Sequence, residues 1–208
     1  MVITVFGASG KVGRYLVAEA LARGHSVRAF IHRTNDFPNH PRLTLVKGDI
    51  HDVQSVANAV FGSQAVLCTL SSWKSPGKDV VSSGIRAIIP AMNANGIDRI
   101  VTVTGSGAFT DEEQPSFLRR CGHTFGKLVA GKVIADGEEH IRLLQASGLD
   151  WTTLRSPVMN NGARIFYKLS MRPAPTWQYV PRKAVAKAML DQLDGASYSR
   201  SAPFIHRD

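Results

Sequence analysis

Apolar residues recur at two different spacings along this chain, and the alternation between them predicts the order of its elements. Val2–Phe6 is a run of mostly β-branched and aromatic residues, which is typical of a buried strand. After it, apolar residues recur at helical spacing at Val12, Leu16, Val17, Ala20 and Leu21, ahead of Gly24. The pattern predicts a strand, a turn and a helix in succession.

The same unit repeats down the chain. Further strands are predicted at Ser26–Ile31, Leu43–Lys47, Ala65–Leu70, Arg99–Thr104, Asp150–Arg155, Trp177–Val180 and Pro203–Ile205. Helices are predicted at Val53–Val60 behind an Asp52 N-cap, and over about 79–95, 132–146 and 181–193. Strands that alternate with helices predict right-handed βαβ units. The fold class is therefore α/β: a doubly wound parallel sheet of the Rossmann type, with helices on both faces, in a single domain.

Residues 109–131 do not follow this alternation. A polar stretch, Phe109–Pro115, precedes a mixture of basic, apolar and glycine residues, so we expect a lid or substrate loop here. Gly126–Val133 contains the GxxxxGK spacing of a P-loop, but Val133 stands where the Mg²⁺-binding Ser or Thr belongs and no strand precedes it. The sequence therefore argues against an NTPase.

Composition limits the class of protein. The 208 residues are 44% hydrophobic and 20% charged, as in globular proteins. No apolar run is long enough to span a bilayer, and no charged region precedes the first apolar run, so we expect no signal peptide, no membrane partner and a cytoplasmic location. Of the two cysteines, Cys68 lies in an apolar strand pattern and is expected to be inert.

The formal net charge of +9 is shared between the two halves of the chain, and one segment has a local excess of basic residues. No acidic residue occurs between Trp151 and Leu190, where there are seven basic ones. Such a field attracts polyanions, and it equally attracts a small anionic ligand. Because no helix-turn-helix, zinc-finger or RNP pattern accompanies it, we expect a small-molecule substrate, anionic or aromatic, and no specific nucleic-acid partner.

Three glycines at the first turn carry the candidate chemistry. Gly7, Gly10 and Gly13 stand between the first strand and the first helix. Glycine there turns the chain, lets backbone N–H groups approach a diphosphate and lets the helix pack closely on the strand. The GxxGxxG spacing is a variant of the dinucleotide-binding fingerprint.

The end of the second predicted strand bears on the choice of cofactor. An NAD-specific fold places Asp or Glu there, whereas Arg suits the 2′-phosphate of NADP. Here His32 and Arg33 hold the position, and the first carboxylate is Asp36. This favours NADP(H) over NAD(H), because a guanidinium binds phosphate well. The alternative is that Arg33 is a solvated surface charge.

Other polar residues allow two interpretations each. Asp49 would contact the adenine amino group or cap a turn, and Ser106 would hydrogen-bond the substrate or nicotinamide or cap a turn. His123 and His140 would donate protons or serve as structural residues. No paired histidine spacing predicts a metal site.

These motifs together resemble the atypical short-chain dehydrogenase/reductases, in particular the NmrA-like group and the biliverdin-IXβ and flavin reductases. The matching segments are spread over nearly the whole chain: Val5–Gly13, His32-Arg33, Gly48–Ile50, Gly84–Met92, Gly96–Val101, Ser147–Trp151 and Arg155–Pro157.

The resemblance implies a role for each predicted site residue. The segment from Gly7 to Gly13, with Ser9, Gly10, Lys11 and Val12, would hold the diphosphate, and His32 and Arg33 would lie at the 2′-phosphate. Asp49 and Ile50 would flank the adenine. Leu70, Ser71 and Ser72 would flank the ribose. The nicotinamide would be framed by Thr104, Gly105, Ser106, Pro157 and Met159. Residues 1–208 would form one NAD(P)-binding domain, with about 151–208 on its substrate side.

One departure from that family narrows the chemistry. Classical members protonate or deprotonate a substrate oxygen with the Tyr of Tyr-x-x-x-Lys, and none of the four tyrosines here lies between strand five and the next helix. Alcohol dehydrogenation therefore lacks its general acid or base. Flavin or tetrapyrrole reduction does not require that tyrosine, because solvent can supply the proton.

Two hypotheses follow, with Ser106 as the candidate catalytic residue. The first is an NADPH-dependent reductase acting on a flat conjugated acceptor such as FMN or another flavin, a quinone or a linear tetrapyrrole. The second is a non-catalytic NmrA-like redox sensor that binds NADP(H) and a regulatory protein partner. A sugar epimerase is a third option, disfavoured by the missing tyrosine and the short C-terminal portion.

Overall fold

Eight strands form one sheet in the computed structural model, which describes residues 1–33, 37–73, 75, 77–110, 113, 117–175, 177–195 and 197–208. Two further strands form a separate pair. All ten, in chain order, are β1 (Val2–Phe6), β2 (Ser26–Ile31), β3 (Leu43–Lys47), β4 (Ala65–Cys68), β5 (Arg99–Gly105), β6 (Asp150–Ser156), β7 (Met159–Asn160), β8 (Tyr167–Ser170), β9 (Val180–Pro181) and β10 (Phe204–Arg207). The sheet order is β3-β2-β1-β4-β5-β6-β10-β8, and β7 pairs with β9 separately. All neighbours run parallel apart from β10 and β8. The predicted doubly wound parallel sheet is therefore confirmed.

Five helices cover the two faces of this sheet: α1 (Gly13–Ala22), α2 (Val53–Val60), α3 (Val80–Ala94), α4 (Phe117–Ala146) and α5 (Arg182–Gly195). Helices α1 and α5 bury Leu16 and Met189 on one face, and the other three helices bury residues such as Ile85 and Ile141 on the opposite face. Strands β1 and β4 are covered on both faces, and their residues are accordingly apolar apart from the buried Thr4. Cys68 is buried in this core, and burial raises the pKa of its thiol to about 12.

Helix α4 corrects the prediction of a loop over 109–131. A helix begins at Phe117, and a non-helical residue, Ala130, divides it in two. In one straight helix, His123 and Glu138 would lie about 22 Å apart along the axis. Because His123 Nε2 lies 2.6 Å from Glu138 Oε1, the two segments of α4 are bent towards each other at Ala130. The second segment agrees with the helix predicted from residue 132, and the first was missed because a contact distant in sequence holds it. Residues 111, 112 and 114–116 of the predicted loop lie outside the described part.

The C-terminal portion differs from the prediction in its short strands. The strand predicted at Trp177–Val180 is wrong, because Gln178 N donates to Pro175 O at 3.0 Å in a turn and only Val180–Pro181 pairs. Strands β7 and β8 were not predicted. Strand β4 ends at Cys68 rather than at residue 70. None of the helices in the described ranges is long and apolar enough to cross a bilayer.

The β1–α1 turn is held by a close approach of backbone to backbone. Gly7 has a φ of +74°, and a Cβ on it would lie 2.8 Å from the carbonyl carbon of Thr69. A Cβ on Gly13 would lie 2.2 Å from Gly7 O and 2.7 Å from Ala8 O. Backbone atoms cannot move aside as a flexible side chain can, so this packing requires glycine at both positions.

We expect Gly13→Ala to lower the free energy of unfolding by about 3 kcal/mol, because the added methyl group overlaps backbone atoms. Urea denaturation followed by circular dichroism measures the change. Gly195→Ala is the control, since a Cβ there meets only Ser197 Oγ at 3.8 Å. Equal stability of the two variants would contradict the steric argument.

A buried polar chain crosses from α4 to the sheet. His140 Nε2 lies 2.8 Å from Thr102 Oγ1 in β5, which lies 2.8 Å from Thr153 Oγ1 in β6. His140 is completely buried, and desolvation lowers the pKa of its imidazole to about 4. His140 is therefore neutral at pH 7 in the folded protein.

The buried imidazole predicts a pH dependence of stability. A histidine titrates at 6.5 when unfolded and here at about 4 when folded, so the unfolded state binds the extra proton between these values. Stability is lost as pH falls from 6.5 to 4, by about 3 kcal/mol at most. His140→Gln should flatten this part of the curve of unfolding free energy against pH. The exposed His51→Gln variant should follow wild type, and a wild-type slope in His140→Gln would contradict the assignment.

Candidate functional site

Four loops that carry predicted site residues leave the same edge of the sheet. They follow β1, β4, β5 and β6, which are consecutive neighbours in the sheet and run parallel. In doubly wound sheets, ligands bind beyond the carboxyl ends of the strands. The structure thus brings the β1–α1 turn, residues 70–72, residues 104–106 and residues 157–159 to one edge.

The start of α1 has the features of an anion site. Its N-cap, Val12, offers no side-chain hydrogen bond, and the first turn contains no acidic residue. The first N–H groups of a helix have no partner within the helix, and they carry partial positive charge. The turn leading to them is fixed, because Gly10 N donates to Gly7 O at 2.9 Å and the Thr69 hydroxyl donates to Gly7 O at 3.1 Å. These residues fit a dinucleotide diphosphate.

Within this turn the predicted residues differ in exposure. Gly10 and Lys11 are exposed, Ser9 and Val12 are half-buried and Gly13 is buried. Gly13 therefore serves the packing of helix on strand, while the exposed backbone of residues 10 and 11 remains accessible to a ligand.

At the predicted adenosine end, the structure brings His32 and Asp49 together. Both follow neighbouring strands, and His32 Nε2 lies 3.7 Å from Asp49 Oδ2. Asp49 Oδ1 accepts a 2.9 Å hydrogen bond from His51 N, which is the turn-capping interaction weighed from the sequence. Arg33 lies two residues beyond the end of β2 and is exposed, and Ile50 is buried.

The loop after β4 contains a residue whose surroundings differ from expectation. Ser72 is only 1% exposed, and its hydroxyl donates to the Asp136 carboxylate of α4. Ser71 beside it is exposed and Leu70 is half-buried. Of the three residues predicted at the ribose, Ser72 is therefore engaged by the protein itself.

At the predicted nicotinamide end, β5 and β6 remain paired to their last residues. Gly105 pairs with Ser156, and Ser106 N donates to Ser156 O at 2.8 Å. Ser106 is half-buried and Gly105 is exposed. A Cβ on Gly137 of α4 would lie 2.6 Å from Thr104 Oγ1, so α4 packs closely on this end of β5.

The residues after β6 line the same end of the sheet. Pro157 is buried and Met159 is half-buried, whereas Val158 between them is exposed. Val180 N donates to Val158 O at 3.1 Å, which fixes the segment against β9.

Arg155 anchors the turn that follows β5. Its guanidinium is fully buried, lies 3.8 Å from the centroid of the Phe204 ring and donates to Ala202 O at 2.7 Å. It also donates to Ala108 O at 3.4 Å and pairs with Glu113. Sequence analysis used Arg155 as one of the seven basic residues and as part of the resemblance, and its role in holding the turn after β5 was not predicted.

The two candidate proton donors occupy different surroundings. His140 is buried in the core, remote from solvent. His123 is half-buried beside Glu138, and the Phe109 ring stacks on it with centroids 4.1 Å apart. Only His123 is therefore placed near the loop that follows β5.

The tyrosines lie elsewhere. Tyr167 donates to Asp191, and burial raises the pKa of its phenol above the usual range. Tyr198 donates to Leu169 O at 3.0 Å, and the Tyr15 ring lies 5.5 Å from Lys183 Nζ. Tyr179 is exposed next to β9.

Asp136 is the residue near the site that sequence reasoning missed. The sequence did contain a signal, because Asp136 and His140 share helical spacing with the apolar Leu144, at i, i+4 and i+8. In the structure all three residues are buried. Two polar residues within a buried helical stripe indicate a specific polar contact.

Comparisons with known proteins agree with this fold. A 3-beta-hydroxysteroid dehydrogenase of Mycolicibacterium neoaurum is 36% identical over 99 residues, 48% of this chain and 27% of that protein. A short-chain dehydrogenase/reductase of Veillonella parvula in complex with NADP superposes with a TM-score of 0.80 at 22% identity, covering 99% of this chain and 94% of that one. ChuY, an anaerobillin reductase of Escherichia coli O157:H7, superposes with a TM-score of 0.77 at 21% identity, covering 99% and 97%.

These likenesses differ in what they show. The match with the steroid dehydrogenase spans only 27% of the length of that protein. The solved structures, at 21–22% identity, show that the fold is shared. A family described as NAD(P)H-binding matches residues 7–196, from the β1–α1 turn to just beyond α5. Since the match covers six of the eight strands of the sheet and the edge where the four loops meet, the chain belongs to this NAD(P)H-binding family.

Proposed function

We propose that the chain is an NADPH-dependent reductase that transfers hydride to a flat conjugated acceptor, such as a flavin, a quinone or a linear tetrapyrrole. The observation that carries the proposal is that no tyrosine lies between β5 and α4, while the segment after β6 exposes apolar and aromatic side chains such as Val158 and Phe166. An anaerobillin reductase among the proteins of the same fold supports this acceptor class.

Each element of the site has a role in this proposal. The β1–α1 turn binds the diphosphate through backbone N–H groups, and Arg33 binds the 2′-phosphate. Loops after β3 and β4 enclose the adenosine and the ribose. Residues 104–106 and 157–159 frame the nicotinamide, which supplies the hydride when bound. The proton comes from solvent, so a catalytic tyrosine is not required.

The substrate side is the C-terminal portion, about residues 151–208. Large apolar side chains are exposed there within a short stretch: Val158, Ile165, Phe166, Met171, Trp177 and Tyr179. Exposed apolar groups in such number mark a binding surface, and aromatic rings stack on flat conjugated systems.

The charge of this portion favours an anionic acceptor. Of its seven cations between Trp151 and Leu190, Arg155, Lys168 and Lys187 form ion pairs with Glu113, Asp208 and Asp191. In the described part of the chain, no carboxylate pairs with the remaining four: Arg164, Arg172, Arg182 and Lys183. Their field attracts carboxylates or phosphates on a ligand.

A turnover assay tests the proposal. Purified protein is mixed with NADPH and, in turn, FMN, riboflavin, a quinone and biliverdin, while the NADPH absorbance is followed. We expect enzyme-dependent oxidation with at least one of them. Saturable NADPH binding without turnover on any acceptor would overturn the reductase and favour the redox sensor, whose partner a pull-down would then identify.

Phe166→Ala should raise the KM for the acceptor about tenfold, because it removes a stacking surface. NADPH affinity should stay unchanged. Phe61→Ala is the control, because Phe61 is as exposed as Phe166 (70% against 69%) but lies at the end of α2. Equal KM values in the two variants would place the acceptor elsewhere.

Arg33→Ala should weaken NADPH binding by about 1.5–3 kcal/mol, the range for a hydrogen bond to a charged group, and leave NADH binding nearly unchanged. Calorimetry with both nucleotides measures the difference. Arg142→Ala, an exposed arginine of α4, is the control. Equal losses for NADPH and NADH would mean that Arg33 does not bind the 2′-phosphate.

A further inference from the structure

We infer that Asp136 is a positioning residue for the nicotinamide-ribose half of the cofactor site, because its carboxylate closes the loop between β4 and α3. The inference rests on the proposed cofactor function.

Asp136 contacts both ends of that loop. At the start of the loop, its carboxylate accepts a hydrogen bond from the Ser72 hydroxyl. At the end, Oδ2 accepts from Val81 N at 3.2 Å and Oδ1 accepts from Ser82 N at 2.9 Å. Asp136 is 5% exposed, so water does not compete for these bonds.

These bonds replace the cap that α3 lacks. The N-cap of α3 is Asp79, and its side chain makes no capping hydrogen bond. A helix start without a cap has unpaired N–H groups and partial positive charge, and a carboxylate satisfies both. Helix α4 therefore supplies the cap of α3 from a position distant in sequence.

Fastening Ser72 limits the short segment that joins it to the sheet. Leu70 and Ser71, predicted at the ribose, lie in that segment, between the end of β4 at Cys68 and Ser72, whose Oγ also lies 3.4 Å from Val81 N. The next residue of α4, Gly137, packs against Thr104 at the end of β5. One turn of α4 thus sets the position of the loops after β4 and β5. Among the described residues, Asp136 forms no hydrogen bond or ion pair with the β1–α1 turn or with Arg33.

This difference gives a test with two ligands. NADPH spans the whole site, whereas adenosine 2′,5′-bisphosphate occupies only the adenosine half. Asp136→Asn keeps the size of the side chain but removes the charged carboxylate that accepts three hydrogen bonds. We expect it to raise the Kd for NADPH about tenfold, as for a lost hydrogen bond to a charged group, and to leave the Kd for adenosine 2′,5′-bisphosphate unchanged in calorimetry.

Asp79→Asn is the matched control, because it removes the same charge at the same helix start from an exposed side chain. It should change neither Kd. Should Asp136→Asn fail to fold, Ser72→Ala removes a single donor to the carboxylate and should give the same pattern with a smaller increase.

Three outcomes overturn the inference. An unchanged Kd for NADPH shows that the loop holds its position without Asp136. An equal loss for both ligands shows that Asp136 only supports the fold. Wild-type protein that binds neither ligand overturns the proposed cofactor function, and the inference with it.

Discussion

The approach of the β1–α1 turn to the end of β4 is the constraint on which the site depends. Thr69 donates from its hydroxyl to Gly7 O, and there is no room for a Cβ at Gly7 or Gly13. This contact sets α1 against the sheet with an uncapped N-terminus at the carboxyl edge of the strands. A side chain at either glycine would move the N–H groups that an anion needs away from the edge.

Helix α4 organises the other end of the site. From adjacent turns, Asp136 holds the β4–α3 loop and His140 holds β5 through Thr102. Glu138 contacts His123 across the kink at Ala130. Burying Asp136 and His140, and partly burying Glu138, is costly unless each has a partner. Their partners lie in different loops and strands, so the cost is offset by contacts that fix the relative positions of those elements.

Local patterns in the sequence were sufficient for most of the fold. Strands β2 and β3 and helix α2, with its Asp52 cap, have the predicted bounds, because period and capping residues are local signals. The first half of α4 and strands β7 and β8 were missed. A segment with glycines at residues 122 and 126 has weak helical propensity, and it is held by Glu138. Two-residue strands such as β7 have too few residues to show a period.

The predicted site depends on two kinds of signal. The glycine turn and Arg33 were predicted from short local motifs, and their contacts with a cofactor stay predictions. Three other features depend on residues more than 40 positions apart, and no local sequence pattern links such residues. They are the burial of Ser72, the cap from Asp136 and the anchoring of the β5 turn by Arg155. Those three features came only from the folded chain.

Four cations of the C-terminal portion have no carboxylate partner among the described residues, and this has a consequence for the proposed substrate surface. Mobile ions screen exposed charges over about 10 Å at an ionic strength of 0.1 M. If the proposed acceptor binds at this surface, its capture through negative charge weakens as salt rises, while the stacking of aromatic rings does not. We therefore expect ionic strength to shift the balance between charged and uncharged acceptors.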